Sequence, residues 1–263
     1  MKSTNSNCGM VPGLVLSFGL VLAPAPVLAG AGIDADASRI LQAMADHLGG
    51  LDAYSAEADV DNEVIDLEGQ KLQLSSDVDL VVQRPDNLYV HRHGPFADLE
   101  LFFDGKTMTI YGKDTNVFLQ LEAPGNLEQG VEALRSVTGL DAPGADLVFA
   151  DAYRALTEDA TSGTYRGTAF VNGVECDYLT FRGNRADWQL WVRHGDRPLP
   201  MKYVITTKWL TGAPQYSVRF RNWNTEPSIS AKQFAFAPPH GARAVETLTV
   251  GEAGELKMQG GAQ

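Results

Sequence analysis

The chain has 263 residues and a formal net charge of −12 at neutral pH, 21 Lys and Arg standing against 33 Asp and Glu. With no basic cluster, that balance argues against nucleic acid and against electrostatic docking on anionic lipid, but not against an apolar ligand. The first predicted element is a leader. Lys2 is its only charge, Met10 to Leu22 is an apolar run well under the ~20 residues that span a bilayer, and Val27-x-Ala29 places small residues before a cleavage point. We expect residues 1–29 to be a secretory signal peptide cleaved after Ala29, with no transmembrane segment left afterwards. Cys8 precedes the apolar core, whereas a lipidated Cys follows it, so soluble export is expected. Cleavage removes Lys2 and Cys8, takes the charge from −12 to −13, and leaves Cys176 alone. An exported chain without a disulfide is held by its core.

Asp34 to Leu48 reads as a helix, capped by Asp34 or Asp36, with Ile40, Leu41, Met44 and Leu48 on one face and Gly49-Gly50 ending it. From Tyr54 the period changes to two. Carboxylates at Glu57, Asp59, Asp61 and Glu63 alternate with mostly small or apolar residues. After a turn at Gly69, Leu72, Leu74, Val78, Leu80 and Val82 share a face opposite Gln73, Ser75, Asp77 and Asp79. This is a long hairpin with one buried and one wet side. The carboxylate row fans out along a flat strand, so it reads as a solvated face and not a calcium site.

Arg84 to Asn87 is a turn, and Leu88 to His93 the next strand. Phe96 to Phe103, Lys106 to Tyr111 and Val117 to Leu121 continue a meander, with Asp104-Gly105 expected as a tight turn of two positive-φ residues. Asn126 to Thr138 and Asp146 to Leu156 read as two helices that interrupt the sheet and pack on it. Strands resume at Thr164, and Asn172-Gly173 is the strongest hairpin signal in the chain. Further strands are expected at Val174 to Arg182, Trp188 to Arg193, Met201 to Trp209 and Tyr216 to Trp223. Phe234-Ala235-Phe236 reads as a short apolar stretch ending at Pro238-Pro239, Ala244 to Val250 as a last strand, and 251–263 as a flexible tail.

The predicted class is mainly β, an α+β arrangement. About eleven antiparallel strands at spacings near ten residues form an unclosed barrel, with about three helices covering its concave face. Residues 30–250 are expected to be one domain.

No motif of known chemistry stands out. The five histidines fit no HExxH pattern, and there is no G-x-S-x-G elbow, P-loop or dinucleotide fingerprint. His91 and His93 leave one face of a strand. Only Asp98 or Glu100 offers a third ligand nearby, and these follow from general acidity, so no metal, cofactor or catalytic residue is predicted. Cys176 alternates within a strand and reads as a buried structural thiol. The residues expected to line a ligand cavity are Phe102, Met108, Ile110, Tyr178, Trp188, Leu190, Met201 and Tyr203, and sheet core is the competing reading for each.

Several motifs resemble a known group. Arg84-Pro85-Asp86-x-Leu88-Tyr89 and Phe103-Asp104-Gly105-Lys106-Thr107 resemble the exported carriers of the LolA/LolB superfamily. Val171-Asn172-Gly173-Val174-x-Cys176, Trp188-Gln189-Leu190-Trp191, Asp196-Arg197-Pro198-Leu199-Pro200 and Phe236-Ala237-Pro238-Pro239-x-Gly241-Ala242 resemble a periplasmic family of undefined function grouped with it by fold. The resemblance implies an unclosed barrel whose apolar concavity holds lipid acyl chains beneath a helical lid. In LolA an arginine of an early strand helps hold that lid. Arg84 stands near that region but does not match residue by residue, so the role is not carried over. The expected function is an exported periplasmic protein that binds or carries lipid or lipoprotein acyl chains. The alternative is an interaction module for a periplasmic or envelope protein. The expected partners exclude nucleic acid, and no enzymatic activity is expected.

Overall fold

The computed structural model describes residues 32–139, 142–251 and 256–257. The expected leader with its cleavage point, and most of the expected tail, lie outside the described residues. After a two-residue strand β1 (Gly32–Ile33) comes α1 (Ala35–Gly49). Asp34 caps α1 by accepting from the Ala37 amide at 2.6 Å, and the stripe Ala37, Ile40, Leu41, Met44, Ala45 and Leu48 is buried. A meander follows: β2 (Ala53–Ile65), β3 (Lys71–Gln83), β4 (Asn87–His93), β5 (Asp98–Asp104), β6 (Thr107–Gly112) and β7 (Val117–Glu122). The chain then leaves the sheet for α2 (Leu127–Thr138), a 3-10 turn (Ala145–Val148) and α3 (Ala152–Thr157). It returns as β8 (Ala160–Val171), β9 (Val174–Gly183), β10 (Ala186–Arg193), β11 (Pro200–Thr207) and β12 (Gln215–Asn224).

One sheet of 13 strands results, in the order β1-β8-β9-β10-β11-β12-β2-β3-β4-β5-β6-β7, with β13 (Arg243–Ala244) at the far edge. The strands β2 to β12 are the eleven of the expected barrel, all joined antiparallel, and β1 and β13 add short parallel pairs at the two edges. The last long strand closes against the first, Val218 opposite Val60, so the N-terminal hairpin lies mid-sheet. β7 and β8 end far apart in the order, and the sheet stays open between them. This is the unclosed, mainly β architecture the sequence predicts.

Local chemistry explains the turns. Asn172 and Gly173 both take positive φ, 51° and 78°, the mirror-image turn that suits strand twist. At Asp104-Gly105 the expectation is corrected: only Gly105 has positive φ, 81°. The Asp104 carboxylate accepts from the amides of Lys106 (3.0 Å) and Thr107 (2.8 Å), which stabilises the turn from outside it. α2 has a full capping box between Asn126 and Gln129 and ends at Gly139, φ 69°.

Two further expectations change, and one stretch finds its place. The helix over Asp146 to Leu156 is broken: Phe149 is extended (φ −68°, ψ 155°), and Asp151 starts α3 by accepting from the Arg154 amide. Burying Val148 and Phe149 in the core outweighs continuing the helix. The short apolar stretch Phe234 to Phe236 follows a 3-10 turn (Ala231–Gln233) across the outer face, where Phe236 packs on Phe102, Tyr111 and Phe118. The expected strand Ala244 to Val250 is two fragments, β13 beside β7 and Thr249–Val250 paired with Leu256–Lys257.

Candidate functional site

Strand alternation sends one set of side chains to the concave face, where the helices lie. Two buried clusters form there. The first joins Ile40, Leu41 and Met44 of α1 and Leu156 of α3 to Leu179, Phe181, Trp188, Leu190, Tyr203, Val218 and Phe220 of the sheet. Phe181 stacks on Trp188 with ring centroids 3.8 Å apart, and Tyr203 meets Trp188 edge-on at 5.8 Å. The second joins Leu127, Val131 and Leu134 of α2, with Val148, Phe149 and Leu48, to Tyr54, Val82, Leu88, Phe103, Met108, Ile110 and Leu119. Trp223 packs against both clusters, its indole N–H donating to the Pro200 carbonyl at 3.1 Å.

The eight predicted cavity residues therefore separate. Trp188, Leu190 and Tyr203 belong to the first cluster, and Met108 and Ile110 to the second. Met201 lies in a small third cluster with Val171 and Cys176. Phe102 and Tyr178 are on the opposite face. Phe103 and Leu179 take the inward positions beside them, so Phe102 packs on Tyr89 and Phe236, while Tyr178 stacks on Trp191 at 4.6 Å and donates to Gln189 Oε1. The apolar run Leu101-Phe102-Phe103 hides its own phase, which is why sequence alone did not separate the faces.

In this conformation helical side chains occupy the concave face. Leu41, Met44, Leu127 and Leu134 are essentially fully buried against it. Each such side chain contributes roughly 1.5–3 kcal/mol by leaving water. Burial also pushes the Tyr54 and Tyr203 hydroxyls well above the usual tyrosine range, so both are neutral. A hollow of about 190 Å³ between α2 and α3 is lined by Glu128, Glu132, Arg135, Asp146, Arg154 and Glu158, with Phe149 and Ala155 as its apolar members. Its charged walls do not suit an acyl chain. Burial raises the Asp146 carboxyl, and Arg135 at 3.8 Å opposes that.

The covering layer is tied to the sheet at the Arg84-Pro85 turn. Arg84 Nη1 donates to the Val148 carbonyl at 2.9 Å, and Nη2 to those of Leu48 and Phe149, both at 3.4 Å. The Leu127 amide, at the start of α2, donates to the Pro85 carbonyl at 3.2 Å. Leu48 lies in the last turn of α1, where carbonyls lack helical partners and a cation is favoured. One short turn thus holds the end of α1, the start of α2 and the segment before α3. Beneath it the Arg84 guanidinium sits 6.0 Å from the Tyr54 ring centroid, and Arg84 Nε and Tyr54 Oη have no hydrogen-bond partner among the described residues. In the sequence Arg84 reads only as part of a turn, and nothing in its spacing marks it as a tether.

Cys176 is fully buried, its thiol 3.4 Å from the Val174 carbonyl, and burial pushes that thiol up. The expected result is that a thiol reagent labels native protein on the order of 100-fold more slowly than protein unfolded in urea. Equal rates would show the third cluster to be open. On the outer face, Asp98 comes within hydrogen-bonding reach of both His91 and His93.

Comparison with known proteins gives one family and several distant structural likenesses. Residues 37–248 match the family described as "Predicted periplasmic protein (DUF2092)". No match was found among curated proteins. Among solved structures the chain is similar to an uncharacterized conserved protein from Thermus thermophilus, at 13% identity and TM-score 0.47, over 80% of this chain and 99% of that one. It is also similar to LprF from Mycobacterium bovis, at 15% identity and TM-score 0.45, over 76% of this chain and 98% of that one. A third likeness is the lipoprotein LppX of Mycobacterium tuberculosis, at 12% identity and TM-score 0.45, over 75% of this chain and 100% of that one.

Proposed function

Because this chain belongs to the family described as predicted periplasmic protein (DUF2092), we propose that it works in the periplasm as a carrier or binding protein for an apolar ligand, a lipid or the acyl chains of a lipoprotein. In this reading residues 30–250 act as one domain after the leader is removed near Ala29. The ligand takes the concave face when α2, the 3-10 turn and α3 lift from it. Met108, Ile110, Trp188, Leu190 and Tyr203 then contact it, with Met201 near the margin.

The observation that carries the reading is the gathering of the lid's ties at the Arg84-Pro85 turn. Outside that turn the second cluster holds α2 to the sheet by apolar contact, through Leu127, Val131 and Leu134. Lifting the 3-10 turn and α3 as well re-exposes Leu147, Val148, Phe149 and Leu156, so the seven side chains cost roughly 10–21 kcal/mol. An acyl chain of about 14 methylenes gains roughly 11 kcal/mol on burial, which offsets the loosening of α2 and the lower end of the full movement. No strand pairing has to break, because α2, the 3-10 turn and α3 belong to no ladder. The unpartnered Arg84 Nε and Tyr54 Oη offer polar contacts to the ligand's ester or headgroup end.

A second reading, a docking module for an envelope protein, is favoured by one feature. Leu67 (103% exposed), Leu72 (37%), Trp209 (62%) and Leu210 (40%) project from two neighbouring hairpin ends. The hairpins β2–β3 and β11–β12 adjoin there, with Gly212 packed against Ile65.

Native mass spectrometry of protein purified from a periplasmic extract separates the two. The carrier reading expects a mass increment equal to one or more lipids, released by organic solvent. A clean apo mass that also fails to take up added fatty acid or phospholipid sinks it, and a stable protein complex would then select the docking module.

A further inference from the structure

We propose that His91, His93 and Asp98 form a binding site for a divalent transition-metal ion, zinc above all, on the outer face of the sheet. The placement follows from strand geometry. His91 and His93 lie two apart on β4, so both imidazoles leave the same side. Asp98 stands directly opposite His93 in the ladder to β5. The Gly94 amide donates to the Ala97 carbonyl at 2.9 Å and closes that hairpin tightly, so the carboxylate is fixed relative to both rings.

The distances suit a chelate. His91 Nε2 is 2.8 Å from Asp98 Oδ1 and His93 Nδ1 is 3.3 Å from Asp98 Oδ2, and the three ligand atoms lie within 4.8 Å of one another. Ligand atoms placed tetrahedrally around zinc at ~2.0–2.1 Å stand about 3.4 Å apart. Side-chain adjustments that close their separations by at most about 1.4 Å would bring all three to that spacing. A carboxylate that can orient one of the rings from behind is also in place. Asp79 faces His91 across the β3–β4 ladder, its Oδ2 3.8 Å from His91 Nδ1. A closure of about 1 Å would let a proton on Nδ1 be donated to Asp79 and leave the Nε2 lone pair for the metal, the carboxylate–histidine–metal arrangement.

The other nearby carboxylates are engaged elsewhere. Asp77 accepts from Arg221 at 2.7 Å, and Glu100 accepts from the Tyr89 hydroxyl at 2.9 Å with Lys113 at 3.7 Å. The chain therefore supplies three ligands, and a fourth position is left for water. The His93 side chain is 64% exposed and borders a groove of about 610 Å³ lined in part by Asp61, Ser75, Asp77 and Pro95, so an ion can enter. Two imidazole nitrogens and one carboxylate select zinc-like ions over calcium or magnesium, which need more oxygen ligands. The site faces away from the helices and does not rest on the carrier reading.

The test uses untagged mature protein, stripped with EDTA and titrated with zinc alone by calorimetry, with cobalt absorption as a second readout. We expect one zinc bound per chain at 100 µM free metal, with protons released as it binds. His91→Gln and Asp98→Asn should each weaken binding about 100-fold, and Asp79→Asn about 10-fold. Melting curves in EDTA should match wild type. His93→Gln, at an exposed side chain, is the variant least able to disturb folding and should also weaken binding about 100-fold. Less than one equivalent bound at 100 µM, or an affinity unchanged in His93→Gln, overturns the proposal.

Discussion

Replacing Arg84 with methionine is expected to lower the unfolding free energy by about 3 kcal/mol, because it removes a charged donor from three carbonyls at once. One of those bonds is short, Nη1 to Val148 at 2.9 Å, and two are long, to Leu48 and Phe149 at 3.4 Å. A charged hydrogen bond contributes roughly 1.5–3 kcal/mol, so one good and two weak bonds justify the total. Methionine keeps the apolar stem, which separates loss of the tether from loss of packing. Urea unfolding should show a lower midpoint at constant slope. Hydrogen exchange should rise first at the end of α1 and over 145–149, before the strands respond. If exchange rises evenly over the whole sheet, Arg84 supports the core generally and is not a tether. Under the carrier reading the same variant should take up fatty acid faster than wild type, since the covering layer opens more often.

The second large effect is expected at Gly130. This residue lies on the buried face of α2, and a Cβ there would sit 2.8 Å and 2.9 Å from Phe103 ring carbons and 3.1 Å from the Met108 methyl group. Phe103 and Met108 are themselves fully buried, so neither has free space to yield. Gly130→Ala sets a helix-propensity gain of about 1 kcal/mol against an overlap cost of about 1–3 kcal/mol. It should therefore be neutral to mildly destabilising. Gly130→Leu adds bulk that cannot be absorbed. It should cost about 3 kcal/mol or more in thermal or urea unfolding and push α2 from the sheet. A Gly130→Leu protein as stable as wild type would mean that α2 is not seated on Phe103 and Met108.

Much of the fold was legible because its signals are local. The α1 stripe, the helix from Asn126 to Thr138 and the Asn172-Gly173 turn each specify their geometry within a few residues. The break at Phe149 was not legible, since it depends on core space made by distant strands. Nor was the division of the predicted cavity residues: Phe102 differs from Phe103 only in phase, and a continuous apolar run carries no phase. The Arg84 contacts join residues from 48, 84 and 148, which no spacing rule connects. The convergence of Asp98 on His91 and His93 depends on the register set by the Gly94 to Ala97 turn. A one-residue slip would send Asp98 to the other side.

The pairing of β12 with β2 bears on the order in which the sheet is completed. Val60 and Val218 are neighbours in the finished sheet but enter the exit channel far apart in time. Pairings between such distant segments form slowly, because a long loop must close before any contact compensates for it. Until β12 emerges, the half-sheet from β2 to β7 keeps a bare edge at β2 and lacks the partners of Ala58 and Val60. The central seam of the sheet is thus sewn only after the strands on either side of it, β3 to β11, have been made.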